Sequence, residues 1–176
     1  MPDSTKVVLT GEGADELLFG YDRIFRYMNS QDAFDLDAFL ERYCYSDDRL
    51  GDRMRRFIRS IATHKTPLQF CEDFFLQFHL PGLLRRMDSS MMAASKEGRV
   101  PFVDRRLFEM FYRKPMAARM TDGVIKAPLR KILYDRQLGV VCEREKVGFS
   151  AKPAAQSTFS HYSTFQNQVL ESLSWL

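Results

Sequence analysis

The sequence predicts a mainly α-helical chain, about six to eight helices, with one orphan strand near residues 6–10. Three observations carry this expectation. The 176 residues, 45% hydrophobic and 28% charged, match one soluble globular domain, read here as a single unit over 1–176. The run Val7-Val8-Leu9 is the only short β-branched apolar stretch that reads as a strand. From there on, apolar residues recur at helical spacing almost everywhere.

Taken in order, Val7-Val8-Leu9 is closed by Thr10-Gly11-Glu12-Gly13, and Ala14 to Phe19 reads as a short helix. A continuous apolar strand suits the interior of a parallel sheet, yet no later run offers it a neighbour, so it stands as an orphan. Asp47-Asp48 suits the cap of a helix in which Leu50, Met54, Phe57, Ile58 and Ile61 form one apolar stripe. Its far side holds Arg49, Arg53, Arg55, Arg56 and Arg59, a set read as a solvated face or one paired with acidic neighbours. Thr66-Pro67 opens the next helix with a cap and a first-turn proline, and Cys71, Phe74, Phe75 and Phe78 follow at helical spacing. Pro81-Gly82 is expected to end it. Further helices are expected over about 83–94, over 104–112 and from Pro128, with a last, weakly amphipathic one over about 156–173.

Composition narrows the function classes. Twenty-six Lys and Arg against 23 Asp and Glu give a net charge of +3, too near balance to announce a nucleic-acid or membrane-surface binder. Cys44, Cys71 and Cys142 form no Cys-x-x-Cys pair and have no His at zinc-ligand spacing, so they read as reduced thiols of a cytoplasmic protein. No signal peptide is visible at Met1-Pro2-Asp3-Ser4, and no apolar run approaches the ~18 residues that span a bilayer. The three histidines are scattered and support no Ser/His/Asp or Cys/His arrangement.

Four constellations carry candidate chemistry. In the first, the strand ends at Thr10-Gly11-Glu12-Gly13 and opens a helix at Ala14-Asp15-Glu16. Such a junction permits close backbone approach to a phosphate, and its carboxylates suit holding Mg²⁺ or accepting a proton; equally, they complement the helix dipole. The second is Glu97-Gly98-Arg99-Val100-Pro101-Phe102-Val103-Asp104, where Glu97 and Arg99 are expected to be a partly buried pair. That pair either orients a site or is a structural ion pair, with Asp104 capping the next helix. In the third, Lys126-Ala127-Pro128-Leu129-Arg130, Lys126 projects from the lip of a helix start. There it serves as a point charge for a pyrophosphate, or is one more exposed lysine; Ala127 before the proline is expected to be extended. The fourth, Arg144-Glu145-Lys146-Val147-Gly148-Phe149, reads as a lid over an anion or as a plain loop.

Together and in this order, Val8-Leu9-Thr10-Gly11-Glu12-Gly13-Ala14-Asp15-Glu16-Leu17 with Gly20-Tyr21, Glu97-x-Arg99-Val100-Pro101-Phe102-Val103-Asp104, Lys126-x-x-Leu129-Arg130 and Arg144-x-Lys146-x-Gly148-Phe149 resemble the synthetase domain of glutamine-hydrolysing asparagine synthetases. The resemblance covers about residues 6–150 and leaves a tail, 151–176, unassigned. It implies part of an α/β ATP-pyrophosphatase fold, an adenine nucleotide α-hydrolase-like domain. The implied chemistry activates a carboxylate, aspartate by default, as an acyl-adenylate for attack by ammonia. By resemblance, Glu12 and Lys126 would be catalytic, Thr10, Gly11 and Gly13 would bind ATP, and Asp15 would hold Mg²⁺. Glu97, Arg99 and Lys146 would support the site.

The family's pyrophosphate loop, Ser-Gly-Gly-x-Asp-Ser, has no counterpart here, since no two glycines are adjacent, and the glutaminase's amino-terminal cysteine is also missing. The resemblance therefore implies partners: an upstream half with the pyrophosphate loop, and a glutaminase domain or subunit supplying ammonia. The chain alone is expected to be inactive; an oligomer stays open, and neither nucleic acid nor membrane is expected as a partner. Relatives that make other amides, such as β-lactam synthetases, share these motifs. A non-catalytic helical interaction module, docking through its Met- and Phe-rich surface, is the reading from a different class.

Overall fold

The computed structural model describes residues 4–44 and 52–144. In chain order these form β1 (Val7–Leu9), α1 (Ala14–Leu17), α2 (Asp22–Asn29), α3 (Leu36–Cys44), α4 (Asp52–Ala62) and α5 (Pro67–Phe74). A π-helical turn (Phe75–His79) then leads into α6 (Leu80–Ala93), β2 (Glu97–Arg99), a 3₁₀ turn (Pro101–Val103) and α7 (Arg105–Phe111). A second 3₁₀ turn (Met116–Ala118), α8 (Ala127–Asp135) and α9 (Val140–Glu143) follow. The described residues are thus mostly helical with one small sheet, the class expected of part of an α/β domain. The expected helix cap at Asp47-Asp48, the 144–149 motif beyond Arg144 (Lys146 included) and the tail helix lie outside the described residues.

The strand at Val7–Leu9 is not an orphan. It pairs in parallel with β2, Val7 opposite Glu97, Val8 opposite Gly98 and Leu9 opposite Arg99. Glu97-Gly98-Arg99 has none of the β-branched character that marks a strand, so pairing there is decided by tertiary context. Gly98 makes it work, because α6 lies on this face. A β-carbon at Gly98 would overlap Met87 Sδ and lie 3.2 Å from Met91 Cγ. Val7 and Leu9 remain 40% and 69% exposed.

The core lies among α2, α3, α5 and the π-helical turn. Leu36, Phe39, Leu40 and Tyr43 recur at i, i+3, i+4 and i+7 along α3 and are all buried, as are Ile24, Phe25 and Met28 of α2. Phe39 meets Phe70 and Phe74 of α5 edge to face, each ring centre 5.0 Å away. The start of α5 is fixed by a capping box: Thr66 Oγ1 accepts from the Gln69 backbone N–H (3.2 Å), and Gln69 Oε1 accepts from that of Thr66 (3.1 Å).

Pro81-Gly82 does not end this helix. The backbone widens into the π-helical turn, Leu80 N–H reaching back to the Phe75 carbonyl, and continues as α6. In a regular α-helix the Pro81 ring would press on the Gln77 carbonyl four residues earlier; the wider turn relieves that clash. The same turn carries His79 into the interior, 1% exposed. Of the arginines on the far side of α4, Arg55 is ion-paired with Asp37 of α3, in line with a face paired with acidic neighbours.

Candidate functional site

The first three motifs meet around the segment that follows β1. Thr10 N–H donates to the Arg99 carbonyl at 2.9 Å, extending the β1–β2 ladder. Gly13 then turns the chain with φ +93°, a left-handed value that glycine adopts without strain. Its missing side chain also matters, since a β-carbon would lie 2.9 Å from Val103 Cγ2 and 3.4 Å from the Phe102 carbonyl. The Gly-Glu-Gly turn therefore sits directly under the Val-Pro-Phe-Val segment. That segment and the start of α7 line an open groove of about 580 Å³ formed by Val100, Pro101, Val103, Asp104, Arg106 and Leu107.

The third motif arrives from far along the chain. Lys126 Nζ lies 2.8 Å from Asp15 Oδ1, both side chains about one-quarter exposed. The pair passes over Gly20: a β-carbon there would overlap the Asp15 carboxylate and lie 2.6 Å from Lys126 Cε. Gly20 is therefore part of the site's geometry, a residue the motif contained but to which sequence reasoning gave no role. Lys126 has φ 53° and ψ 36°, a left-handed backbone that a non-glycine residue adopts only under constraint. Ala127, expected to be extended, is instead the first residue of α8, and the unusual conformation falls one position earlier.

Behind Asp15 lies a buried polar chain whose role the sequence did not signal. Tyr21 Oη donates to Glu16 Oε1 at 2.7 Å, while Tyr43 Oη and His79 Nδ1 are 2.8 Å apart and Tyr21 Oη and His79 Nε2 3.4 Å apart. With the Tyr21 proton directed to Glu16, one order that fits these distances has Tyr43 donating to Nδ1 and Nε2–H facing the Tyr21 oxygen. Burial lowers the His79 pKa to about 3, helped by the Arg86 charge and opposed by that of Asp15. Burial also raises Glu16, with the Asp15 and Glu12 charges adding to it and the Tyr21 bond opposing. On its apolar side the same segment is stapled by Arg119, whose guanidinium is buried over the Phe19 ring, ion-paired with Glu72 of α5.

One expectation about the second motif needs correction and another holds. Glu97 and Arg99 do pair, Nε to Oε1 at 2.8 Å, but at 58% and 60% side-chain exposure they are not partly buried. Their side chains project from a two-stranded sheet, so the contribution of this motif to the packing comes from its backbone and from Val103. Asp104 does cap α7, accepting from the Arg106 backbone N–H at 2.8 Å.

For a nucleotide, the first motif offers a fitting feature. Thr10 Oγ1 is buried without a hydrogen-bond partner among the described residues, and a β-carbon at Gly11 would meet nothing within 4 Å. A hydroxyl with unused bonding capacity beside open space suits a polar ligand. For Mg²⁺ the fit is incomplete: among the described residues no three His, Cys, Asp or Glu side chains gather closely enough to hold an ion, and Asp15 already faces Lys126. Cys71 and Cys142 are free thiols, Cys71 buried with its pKa raised by desolvation and by Glu72.

The family profile for asparagine synthase matches residues 2–174. No curated protein and no solved structure matches the chain.

Proposed function

The chain belongs to the asparagine synthase family, and on that premise we propose that it is part of an ATP-dependent amidotransferase. In the proposed reaction, a carboxylate oxygen of the acceptor attacks the α-phosphorus of ATP, pyrophosphate leaves, and ammonia then displaces AMP from the acyl-adenylate to give an amide. The acceptor is aspartate by default. One observation carries the reading: two separate motifs converge in the Lys126–Asp15 pair across Gly20, beside the unpartnered Thr10 hydroxyl and the open face of Gly11.

In this reading Thr10 and Gly11 face the nucleotide, and Gly13 belongs to the ATP site by shaping the turn under Val103. Gly11 allows close backbone approach, and Thr10 Oγ1 supplies the hydroxyl. Lys126, already oriented toward Asp15, supplies positive charge to the phosphate or carboxyl oxygens as negative charge develops. Glu12, half-buried in the turn, assists formation of the adenylate or takes the proton from the attacking ammonia. Asp15 would contribute one carboxylate to a Mg²⁺ whose remaining ligands come from phosphates and other residues. Glu97, Arg99 and Lys146 have supporting roles. A pyrophosphate loop from an upstream half, and a glutaminase domain or subunit, complete the enzyme. We place it in the cytoplasm; among the described residues no helix is long and apolar enough to cross a membrane.

The test is carboxylate-dependent exchange of labelled pyrophosphate into ATP, measured on the polypeptide as it occurs in its source cells and on the 176-residue chain alone. Exchange by the former with aspartate, and background only from the latter, is expected. Comparable exchange by the chain alone would remove the need for an upstream half. Failure of the native polypeptide with every carboxylate offered would remove the ligase reading.

A further inference from the structure

Lys126 poses a problem that its neighbours solve. A left-handed backbone is unfavourable for a residue with a β-carbon, and it persists only where the surroundings over-determine it. Glycine would avoid the cost, but glycine has no ammonium to set against Asp15. The direction of the Lys126 Cα–Cβ bond depends on φ, so relaxation to an ordinary negative value would swing the side chain away from the gap above Gly20.

Several hydrogen bonds hold this turn. Ala127 N–H donates to the Arg119 carbonyl at 3.0 Å, and the Lys126 carbonyl accepts from the N–H groups of Leu129 (3.0 Å) and Arg130 (3.1 Å). To these the Arg130 side chain adds a clamp on the peptide just before Lys126: Nε donates to the Ile125 carbonyl at 3.1 Å. The same guanidinium donates from Nη1 to the Cys142 carbonyl at 2.9 Å, in α9 and two residues before Arg144.

We propose that Arg130 is a positioning residue, which locks the left-handed turn that aims Lys126 at Asp15 and ties that turn to α9 at Cys142. The relevance of this to turnover rests on the role given to Lys126 above; the geometric claim does not. The planar fork fixes the spacing of two carbonyls from different elements, something the single ammonium of a lysine does not reproduce. This accounts for the arginine in Lys126-x-x-Leu129-Arg130, the member of the motif that the reaction itself leaves without a task.

The test reads Lys126 directly. Lysines of the 176-residue chain are dimethylated with ¹³C-formaldehyde, and the Lys126 resonance is identified by its loss in Lys126→Arg. In the parent chain this resonance stands apart from those of exposed lysines and shifts in Asp15→Asn. In Arg130→Lys, and in Arg130→Ala, it is expected to join the exposed group and lose its response to Asp15→Asn, while the chain still unfolds cooperatively. A Lys126 resonance unchanged in Arg130→Lys overturns the proposal. So does failure of both variants to fold, which would make Arg130 a folding residue.

A second reading uses pyrophosphate exchange by the native polypeptide. Arg130→Lys is expected to lower it about tenfold or more in the parent, and to add no further loss to Lys126→Ala. Losses that multiply would overturn action through Lys126. If the parent shows no exchange, the ligase reading fails, and the resonance still decides the role of Arg130.

Discussion

Gly20 shows how much of the site depends on an absent side chain. Asp15 and Lys126 occupy the space that a β-carbon would take, their carboxylate and ammonium ends meeting over Gly20. Gly20→Ala should therefore part the ion pair and cost about 1–3 kcal/mol from overpacking. Urea unfolding measures the cost and the dimethyl-lysine spectrum reads the pair; a variant that kept both parent values would mean the segment yields freely. The buried His79 gives a pH signature. Its native pKa of about 3 lies below the 6.5 of an exposed histidine, so between those values the unfolded chain binds the extra proton. Stability should fall on acidification from pH 6.5 toward pH 3, by at most about 5 kcal/mol from this group. Glu16, raised from 4.5 by burial, acts with the opposite sign: its contribution is full below pH 4.5 and is lost as pH rises through its native pKa. Tyr21 and Tyr43 also face the ring, with Arg86 and Asp15 acting at longer range. Comparing His79→Gln with the parent isolates the histidine: the variant should be less stable at pH 7 and show a flatter decline between pH 6.5 and 3. Equal slopes would mean that His79 protonates freely in the folded chain.

Among the elements, α5 joins the core to the buried ion pairs, since Phe70, Cys71 and Phe74 enter the core while Glu72 and Asp73 hold Arg119 and Arg113. Its start is set by Thr66, and Thr66→Ala should cost about 1 kcal/mol. Thermal or urea unfolding checks this, and no change would mean that Pro67 and the buried face fix the start unaided. This helix start was legible in the sequence because a cap and a first-turn proline are local signals. The helix end was not. Pro81-Gly82 looks like a stop, but the backbone accommodates the proline by widening one turn, in which Phe75 and His79 are both buried. β2 was invisible for the converse reason: Glu97-Gly98-Arg99 has no strand propensity, and its pairing depends on α6 methionines packing where Gly98 leaves room. The four motifs were each legible as contiguous residues. That Gly13 would lie under Val103, and Lys126 over Gly20, follows only from tertiary packing.

At the scale of the molecule, two regions differ in how they are supported. The aromatic core among α2, α3 and α5 is enclosed, with Phe25, Phe39, Phe70 and Phe74 at 0% exposure. The site is built instead on a parallel sheet of two three-residue strands, which leaves Leu9 at 69% exposure. Parallel sheets are ordinarily covered on both faces, and two strands alone are marginal in water. The proposed upstream half would supply that cover, which gives the partner expectation a physical form. In the 176-residue chain, the Thr10 and Glu97 amides, bonded to the Arg99 and Lys6 carbonyls, should exchange with solvent through local opening. Core amides such as those of Phe39 and Phe70 should exchange about a hundredfold or more slowly, since only near-global unfolding exposes them. In the native polypeptide the sheet amides should approach the core values, because strands or helices laid on Val7 and Leu9 would remove the local route. Hydrogen exchange followed by mass spectrometry on both forms separates the cases. Sheet amides as protected as the core in the chain alone would mean that α6 and the 101–103 turn suffice to hold the site, and the argument for a covering half would lose its physical support.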